Sequence, residues 1–197
     1  MAENNENRAL ETQKLKKKSV IWEWVIDIAV VACIAAFIWY FVGYGVWITS
    51  GSMIPTLEVK DRLIVTRVHN PNDLKEGDIV LFKNDEFKGE ILIKRLIGLP
   101  GDKIDIKDGV VFRNGQKLNE DYVKNNEIKN GSYEVPPHKY FFLGDNRANS
   151  DDSRYWKNPY VDESYIEGKA RIIYYPFNHF KVLKWWIMHD EWRIIKE

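Results

Sequence analysis

Cysteine is almost absent from this 197-residue chain, which has a single one, Cys33. One thiol cannot close a disulfide within the chain, so the fold has to be stable through its core alone. A surplus of either charge is also missing, because 29 basic residues balance 29 acidic ones. A net charge of zero gives no indication of nucleic-acid binding.

Charged residues are missing altogether from Ile28 to Leu57. The first part of this span is long enough to cross a bilayer, which takes about 20 apolar residues. A cleaved signal peptide fits less well, because its apolar region is only roughly 7–15 residues long and ends at a small-residue cleavage site. The other alternative, a buried helix of a soluble protein, would be unusually long and apolar for so small a chain.

The residues that flank this span indicate its orientation. Lysines precede it and aromatic residues crowd its far end: Lys14, Lys16, Lys17 and Lys18, then Trp39, Tyr40, Tyr44 and Trp47. Basic residues mark the cytoplasmic side of a membrane, and aromatic residues suit the membrane–water boundary. The sequence therefore predicts a single-pass anchor at residues 19–46, with a cytoplasmic N-terminus and with the residues after about Gly45 outside.

The anchor separates three further segments. Residues 1–18 are polar and charged and are predicted to form a disordered cytoplasmic tail. Residues 47–176 have a length that suits one extracytoplasmic domain. Residues 177–197 are rich in tryptophan and basic residues. Two interpretations of this last segment stay open, an amphipathic stretch on the outer membrane surface or a terminal element docked on the domain itself.

Short apolar and β-branched runs bounded by turn residues predict strands throughout the exported part. The runs are residues 62–66, 79–82, 91–93, 103–106, 110–112, 140–143 and 170–175. Asp108–Gly109 and Asn114–Gly115 are strong two-residue hairpin signals, because both central positions take a positive φ. The expected fold class is mainly β, a coiled antiparallel sheet or partly closed barrel.

Familiar catalytic motifs are missing as well. The chain has neither a Gly-x-Ser-x-Gly elbow nor a Ser-x-x-Lys pattern, and none of its four histidines lies in a triad context. It also lacks His-Glu-x-x-His and a cysteine pair, so neither a metal nor another cofactor is expected. The chain does have Ser50–Leu57, a turn with two serines and Gly/Pro punctuation near the end of the apolar span.

A serine hydroxyl is a weak nucleophile that needs a neighbouring base, and Lys94 is the candidate. Alternate residues of a strand share a face, so Leu92, Lys94 and Leu96 are expected to point into one apolar layer. Burial lowers the pKa of a lysine, and a neutral lysine can accept the proton of a serine. The alternative is an edge position from which the tip of the lysine reaches water.

A dense polar stretch, Gly144–Arg154, follows the last strand but one. Alone it would be taken for a solvated loop. Together with Ser50–Leu57, Gly77–Phe82 and Lys94–Asp102, in this order behind an anchor, it closely resembles the bacterial type I signal peptidases. The resemblance extends from the anchor to about Pro176. It implies a Ser/Lys-dyad endopeptidase that removes signal peptides from exported preproteins at the outer face of the bacterial cell membrane.

The resemblance also implies roles for single residues. Ser52 resembles the nucleophile of the family, and Lys94 resembles its general base. Ser50 matches the position whose hydroxyl joins the Ser52 N–H in the oxyanion hole. Ser150 matches the serine that hydrogen-bonds the lysine amine and aims it.

Other residues of the matching motifs are expected to support these four. Asp152 and Arg154 resemble an ion pair that shapes the loop around the dyad. Arg95, Gly144 and Asp145 lie in the same motifs and are assigned supporting roles by their positions.

The family cleaves after small residues in an Ala-x-Ala-like pattern, and shallow apolar pockets achieve this by excluding large side chains. Ile48, Met53 and Val80 are the candidate pocket walls, and core packing is their alternative role. The expected partners are preproteins and the lipid bilayer, with the enzyme a monomer in the membrane. Two rival functions stay open, another Ser/Lys peptidase that cleaves itself and a non-catalytic membrane-anchored binding domain.

Overall fold

The computed structural model describes residues 22–37 and 43–183. Chain contacts divide the protein into two units, residues 1–42 and 43–197. In the first unit, residues 22–37 form an α-helix whose side chains are all exposed. Within the described ranges, no helix combines the length and the hydropathy that crossing a membrane requires. The predicted cytoplasmic tail lies outside the described residues.

The second unit is built from short strands, as the apolar runs predict. Their bounds are β1 Tyr44–Trp47, β2 Arg62–Arg67, β3 Ile79–Asn84, β4 Glu90–Gly98, β5 Lys103–Lys107, β6 Val110–Arg113, β7 Gln116–Lys117, β8 Gly131–Glu134, β9 Lys139–Leu143, β10 Val161–Asp162, β11 Ile166–Tyr175 and β12 Lys181–Val182. Strand β1 begins at Tyr44, so the end of the predicted anchor range 19–46 overlaps the first strand.

Most of these strands form one antiparallel sheet in the order β1-β2-β11-β3-β4-β9-β10, and β12 pairs with β11. Bulges in β11 shift its register against β2 and β3, which bends the sheet. The prediction of a mainly β, antiparallel fold is confirmed. The described strands do not close into a barrel, because β1 and β10 end the order without pairing with each other.

A smaller sheet follows the order β7-β6-β5-β8. The first predicted hairpin turn has φ values of 50° at Asp108 and 79° at Gly109. The second has 52° at Asn114 and 81° at Gly115. Both turns therefore join antiparallel strands with the backbone that their sequences require.

Hydrophobic clusters hold these sheets together, and one of them fixes the serine turn. Met53 and Leu57 are fully buried against Leu63, Ile79 and other side chains of the larger sheet. Fully burying a side chain of this size contributes about 1.5–3 kcal/mol relative to leaving it exposed. The turn is therefore attached to the core by its apolar residues.

The first residues of the predicted C-terminal tail dock on the larger sheet. Val182 on β12 pairs with Ile172 on β11, and the Leu183 N–H donates to the Arg171 carbonyl at 2.8 Å. The tryptophans of the tail lie outside the described residues. The choice between a membrane-surface and a docked position for that part stays a prediction.

Candidate active site

The serine turn connects β1 to β2 as a compact series of turns. The Leu57 N–H donates to the Met53 carbonyl at 3.0 Å, and the Ile54 N–H donates to the Gly51 carbonyl at 3.2 Å. Ser50 is exposed, whereas Ser52 is 8% exposed. Their hydroxyl oxygens lie 3.4 Å apart, so the two side chains face the same space.

Lys94 lies on β4, opposite Val80 of β3, and is 5% exposed. Leu92 and Leu96 pack into a hydrophobic cluster of the sheet, so the lysine sits among apolar neighbours along its strand. This burial lowers the pKa of Lys94 from its usual value to about 8, although the carboxylates of Asp152 and Asp151 act in the opposite direction. At one pH unit below this pKa, about a tenth of the amine molecules are therefore neutral.

One cleft of about 350 Å³ brings Ser52 and Lys94 together. Its other lining residues are Tyr44, Val46, Trp47, Ile48, Thr49, Ser50, Leu81, Glu90, Ile91, Leu92 and Ile93. In the part of the chain that the structure describes, strand β1 pairs only with β2. Residues 90–94 of β4 pair there only with β3, because pairing with β9 begins at Arg95. Two unpaired strand edges of the described fold thus border the cleft.

The polar stretch predicted after β9 is a folded, buried loop rather than a solvated one. Asp152 is fully buried at its centre. Its carboxylate accepts hydrogen bonds from the Gly144 N–H at 3.0 Å, from the Ser150 hydroxyl at 2.7 Å and from Arg154 Nε at 2.8 Å. Arg154 also donates to the Arg147 carbonyl at 2.7 Å. A buried carboxylate with this many donors holds the loop in one conformation.

Gly144 joins this loop to the serine turn by close approach. A Cβ at this position would lie 2.1 Å from Ser150 Oγ and 2.6 Å from the Ser52 carbonyl oxygen. Both distances are far shorter than van der Waals contact. Ser150 and the backbone of Ser52 therefore pack against one face of a residue that has to be glycine.

Arg95, next to Lys94, connects three segments that surround the cleft. Its guanidinium makes a two-pronged ion pair with Asp145, with distances of 2.8 and 2.6 Å. It also donates to the Gly77 carbonyl at 2.9 Å and to the Thr56 hydroxyl at 3.3 Å, and it lies 3.8 Å from the ring centroid of Tyr122. The serine turn, the β2–β3 connection and the polar loop are thus fixed to one buried cation.

The sequence prediction missed the segment that covers the polar loop from outside. Residues 118–130 connect β7 to β8 and contact the loop at several points. Glu120 pairs with Arg147, which is 2% exposed, and the Asn125 carbonyl accepts from the Ala148 N–H at 2.9 Å. No motif marks these residues, so only the folded chain shows that they belong to the site.

The three predicted pocket residues occupy different places. Ile48 is buried and lines the cleft. Met53 and Val80 are fully buried in two different hydrophobic clusters and are not among the residues that line it. Of the three, Ile48 is the one that borders the cleft.

A serine and a desolvated lysine that line one cleft of an antiparallel β-fold define a candidate hydrolase site. The family described as "Signal peptidase, peptidase S26" matches residues 21–175. Signal peptidase I of Bacillus licheniformis is 34% identical over 183 residues, which is 87% of this chain and 97% of that protein. Signal peptidase I of Leptolyngbya laminosa is 38% identical over 172 residues, which is 83% of this chain and 84% of that protein. The chain belongs to the signal peptidases of peptidase family S26, so the family predicted from its motifs is confirmed.

A solved structure is similar as well. The crystal structure of a signal peptidase I from Enterococcus faecalis V583 has 35% sequence identity and a TM-score of 0.44, and the match covers 49% of this chain and 96% of that chain.

Proposed function

We propose that this protein removes N-terminal signal peptides from exported preproteins, with Ser52 as the nucleophile and Lys94 as the general base. The observation that carries the proposal is the shared cleft, in which a serine lies with a lysine whose pKa burial lowers to about 8. Such a lysine can accept a proton at the pH of the cell surface, which an ordinary lysine does only rarely.

In the proposed mechanism, neutral Lys94 takes the proton of the Ser52 hydroxyl as Oγ attacks the scissile carbonyl. The Ser52 N–H and the Ser50 hydroxyl stabilise the charge that develops on the carbonyl oxygen. Lys94 then returns the proton to the leaving amine, and water hydrolyses the acyl-enzyme with the same lysine as base. Because the Ser150 hydroxyl donates to Asp152, its lone pairs remain available to accept from the lysine amine.

The borders of the cleft suggest how a preprotein binds. An extended peptide can add as a strand beside β1 or residues 90–94, each of which has one edge without a strand partner in the described fold. Ile48 supplies an apolar wall next to the serines. An apolar wall close to the nucleophile excludes large side chains from the space beside it. This supports cleavage after small residues in an Ala-x-Ala-like pattern.

We further propose that the enzyme works at the outer face of the bacterial cell membrane, as a monomer anchored by one helix near its N-terminus. The absence of charge from Ile28 to Leu57 supports this location, as do the lysines that precede the span. Within residues 22–37 the large apolar side chains are exposed, and apolar surface of this kind is stabilised by an apolar environment.

The test uses the purified full-length chain in detergent micelles and a preprotein from a bacterium. Cleavage at one site, mapped by mass spectrometry to the bond after a small residue, is the expected result. The same preprotein with an Asp in place of that small residue is the matched control and is expected to stay intact. Cleavage of the enzyme itself but not of the preprotein would favour the self-cleaving peptidase. Cleavage of neither protein would favour the non-catalytic binding domain.

The rate of cleavage is expected to depend on pH through Lys94. Since the base form is the active one, kcat/KM should rise about tenfold per pH unit below pH 8 and level off above it. The measurement is kcat/KM for a peptide substrate from pH 6 to 10. A flat profile over this range would show that no group with a pKa near 8 acts as the base.

Replacement of Ser50 by alanine is expected to lower kcat by about 10²–10³-fold with little change in KM, the usual effect of removing one oxyanion-hole donor. The loss should be partial, because the Ser52 N–H remains as a second donor. Steady-state kinetics of the Ser50→Ala and Ser50→Thr variants check this, since threonine keeps a hydroxyl. If kcat is unchanged in Ser50→Ala, the Ser50 hydroxyl only shapes the turn.

A further inference from the structure

Asn146, in the polar loop, holds the backbone of the serine turn at two consecutive peptide groups. Its N–H donates to the Ser52 carbonyl at 3.0 Å, and its side-chain Nδ2 donates to the Gly51 carbonyl at 2.9 Å. Asn146 is 5% exposed, so water competes little for either bond. One residue thus fixes the peptide planes on both sides of the Ser52 Cα.

The Gly51 carbonyl accepts from Asn146 Nδ2 at 2.9 Å and from the Ile54 N–H at 3.2 Å, and the shorter bond adds to the local turn in fixing where the Ser52 N–H points. The Gly51 carbonyl and the Ser52 N–H belong to the same trans peptide group, which is planar, so the two point in opposite directions. An amide donor that holds the carbonyl on one side therefore directs the N–H to the other side. Among the described residues, the Ser52 N–H has no acceptor, which leaves it available for a substrate oxygen.

Asn125 determines which end of the Asn146 amide faces the turn. Its Nδ2 donates to Asn146 Oδ1 at 3.0 Å. An amide whose oxygen is held on one side presents its NH₂ group on the other, where the Gly51 carbonyl lies. Asn125 belongs to the covering segment, residues 118–130, so this segment acts on the serine turn through one intermediate side chain.

We propose that Asn146 is a positioning residue that aims the oxyanion-hole N–H of Ser52, and that Asn125 sets the orientation of its amide. The inference rests on the proposed function of Ser52 and adds a device that prepares the oxyanion hole before substrate binds. Such preorganised donors stabilise the transition state more than the ground state, so their loss lowers kcat rather than substrate affinity.

The test measures kcat and KM of the Asn146→Ala and Asn146→Asp variants against those of the parent enzyme, all as full-length protein in micelles. Both keep the backbone N–H that holds Ser52, and both lose the side-chain donor to Gly51. We expect kcat to fall by about 10²-fold in each, with KM within about twofold. Asn125→Ala should show a smaller loss, of about fivefold, which is the factor that one ordinary hydrogen bond is worth. Asn158→Ala is the matched control, because the exposed Asn158 side chain accepts a hydrogen bond from the Tyr160 N–H outside both the polar loop and the covering segment, and it should keep full activity.

A second readout separates aiming from a merely structural role. A peptide aldehyde that adds to Ser52 places its oxyanion in the hole, whereas the matching peptide amide binds without adding. We expect Asn146→Ala to weaken aldehyde inhibition about 10²-fold and to leave amide binding unchanged. Equal weakening of both ligands, or a kcat within threefold of the parent enzyme, would overturn the inference. If Ser52→Ala still cleaves, the proposed function itself fails, and that result is independent of the Asn146 variants.

Discussion

Replacement of Ser52 by alanine is expected to reduce preprotein cleavage by about 10⁴-fold or more, because the hydroxyl that forms the acyl-enzyme is lost. Ser52 is almost buried, and alanine fits its space without a new contact. The variant should therefore fold and bind substrate as the parent enzyme does. Single-turnover cleavage of a preprotein, with binding followed in parallel, measures both properties.

Lys94→Arg is expected to cause a loss of the same size for a different reason. A guanidinium stays protonated at any pH at which the protein is folded, so it cannot take the Ser52 proton. Lys83→Arg on the neighbouring strand is the matched control, because Lys83 is half exposed and pairs with Glu167 at the surface. The control should keep its activity.

Two results would contradict the dyad. Measurable turnover by folded Lys94→Arg would show that another group is the base. Normal cleavage by Ser52→Ala would show that the cleft serine is not the nucleophile. Circular dichroism of each variant establishes that it is folded before its activity is interpreted.

Gly144→Ala is expected to reduce both activity and stability, although it adds a single methyl group far smaller than most side chains. The new Cβ would overlap Ser150 Oγ and the Ser52 carbonyl oxygen, at 2.1 and 2.6 Å. Relief of this overlap requires the serine turn to move away from Gly144 and Ser150 to shift within the polar loop. Overpacking of this kind costs about 1–3 kcal/mol in the free energy of unfolding, and a displacement of about 1 Å at a catalytic group can cost 10²-fold in rate.

The measurements are urea unfolding and kcat for Gly144→Ala, with Gly45→Ala as the matched control. Among the described residues, a Cβ on Gly45 would meet only the Tyr174 hydroxyl, at an ordinary 3.7 Å, so that variant should change kcat and the free energy of unfolding little. Unchanged kcat in Gly144→Ala would mean that the two segments can part without consequence for catalysis. Equal losses in both variants would point to a general sensitivity of the sheet instead.

Local sequence was sufficient for the strands and hairpins of this fold. Runs of β-branched residues marked the strands, because they suit a pleated, half-buried surface. Asp108–Gly109 and Asn114–Gly115 marked their turns, since few other pairs adopt positive φ at both positions. In each case the determining interaction lies within a few residues.

The contacts that assemble the site join residues that are far apart in the chain. Asn146 meets Gly51 and Ser52 across more than ninety residues of chain, and Arg95 meets Asp145 across fifty. These contacts depend on the order of strands in the sheet, which local propensity does not specify. The motifs could suggest that Ser52, Lys94 and Ser150 belong together, but not that Ser150 donates to Asp152 or that Gly144 leaves room for both serines.

The sequence by itself determined the family, the strand content and the hairpin turns, because each depends on residue types and short spacings. It left two positions open for Lys94, one buried and one at an edge that reaches water, and the structure decided for burial. Only the tertiary structure decided that residues 118–130 cover the polar loop, that Met53 and Val80 lie in the core, and that Asn146 holds the serine turn. The physical reason is chain topology. Pairing of β9 beside β4 carries the loop after β9 to the serine turn, and no local signal encodes which strand becomes the neighbour of which.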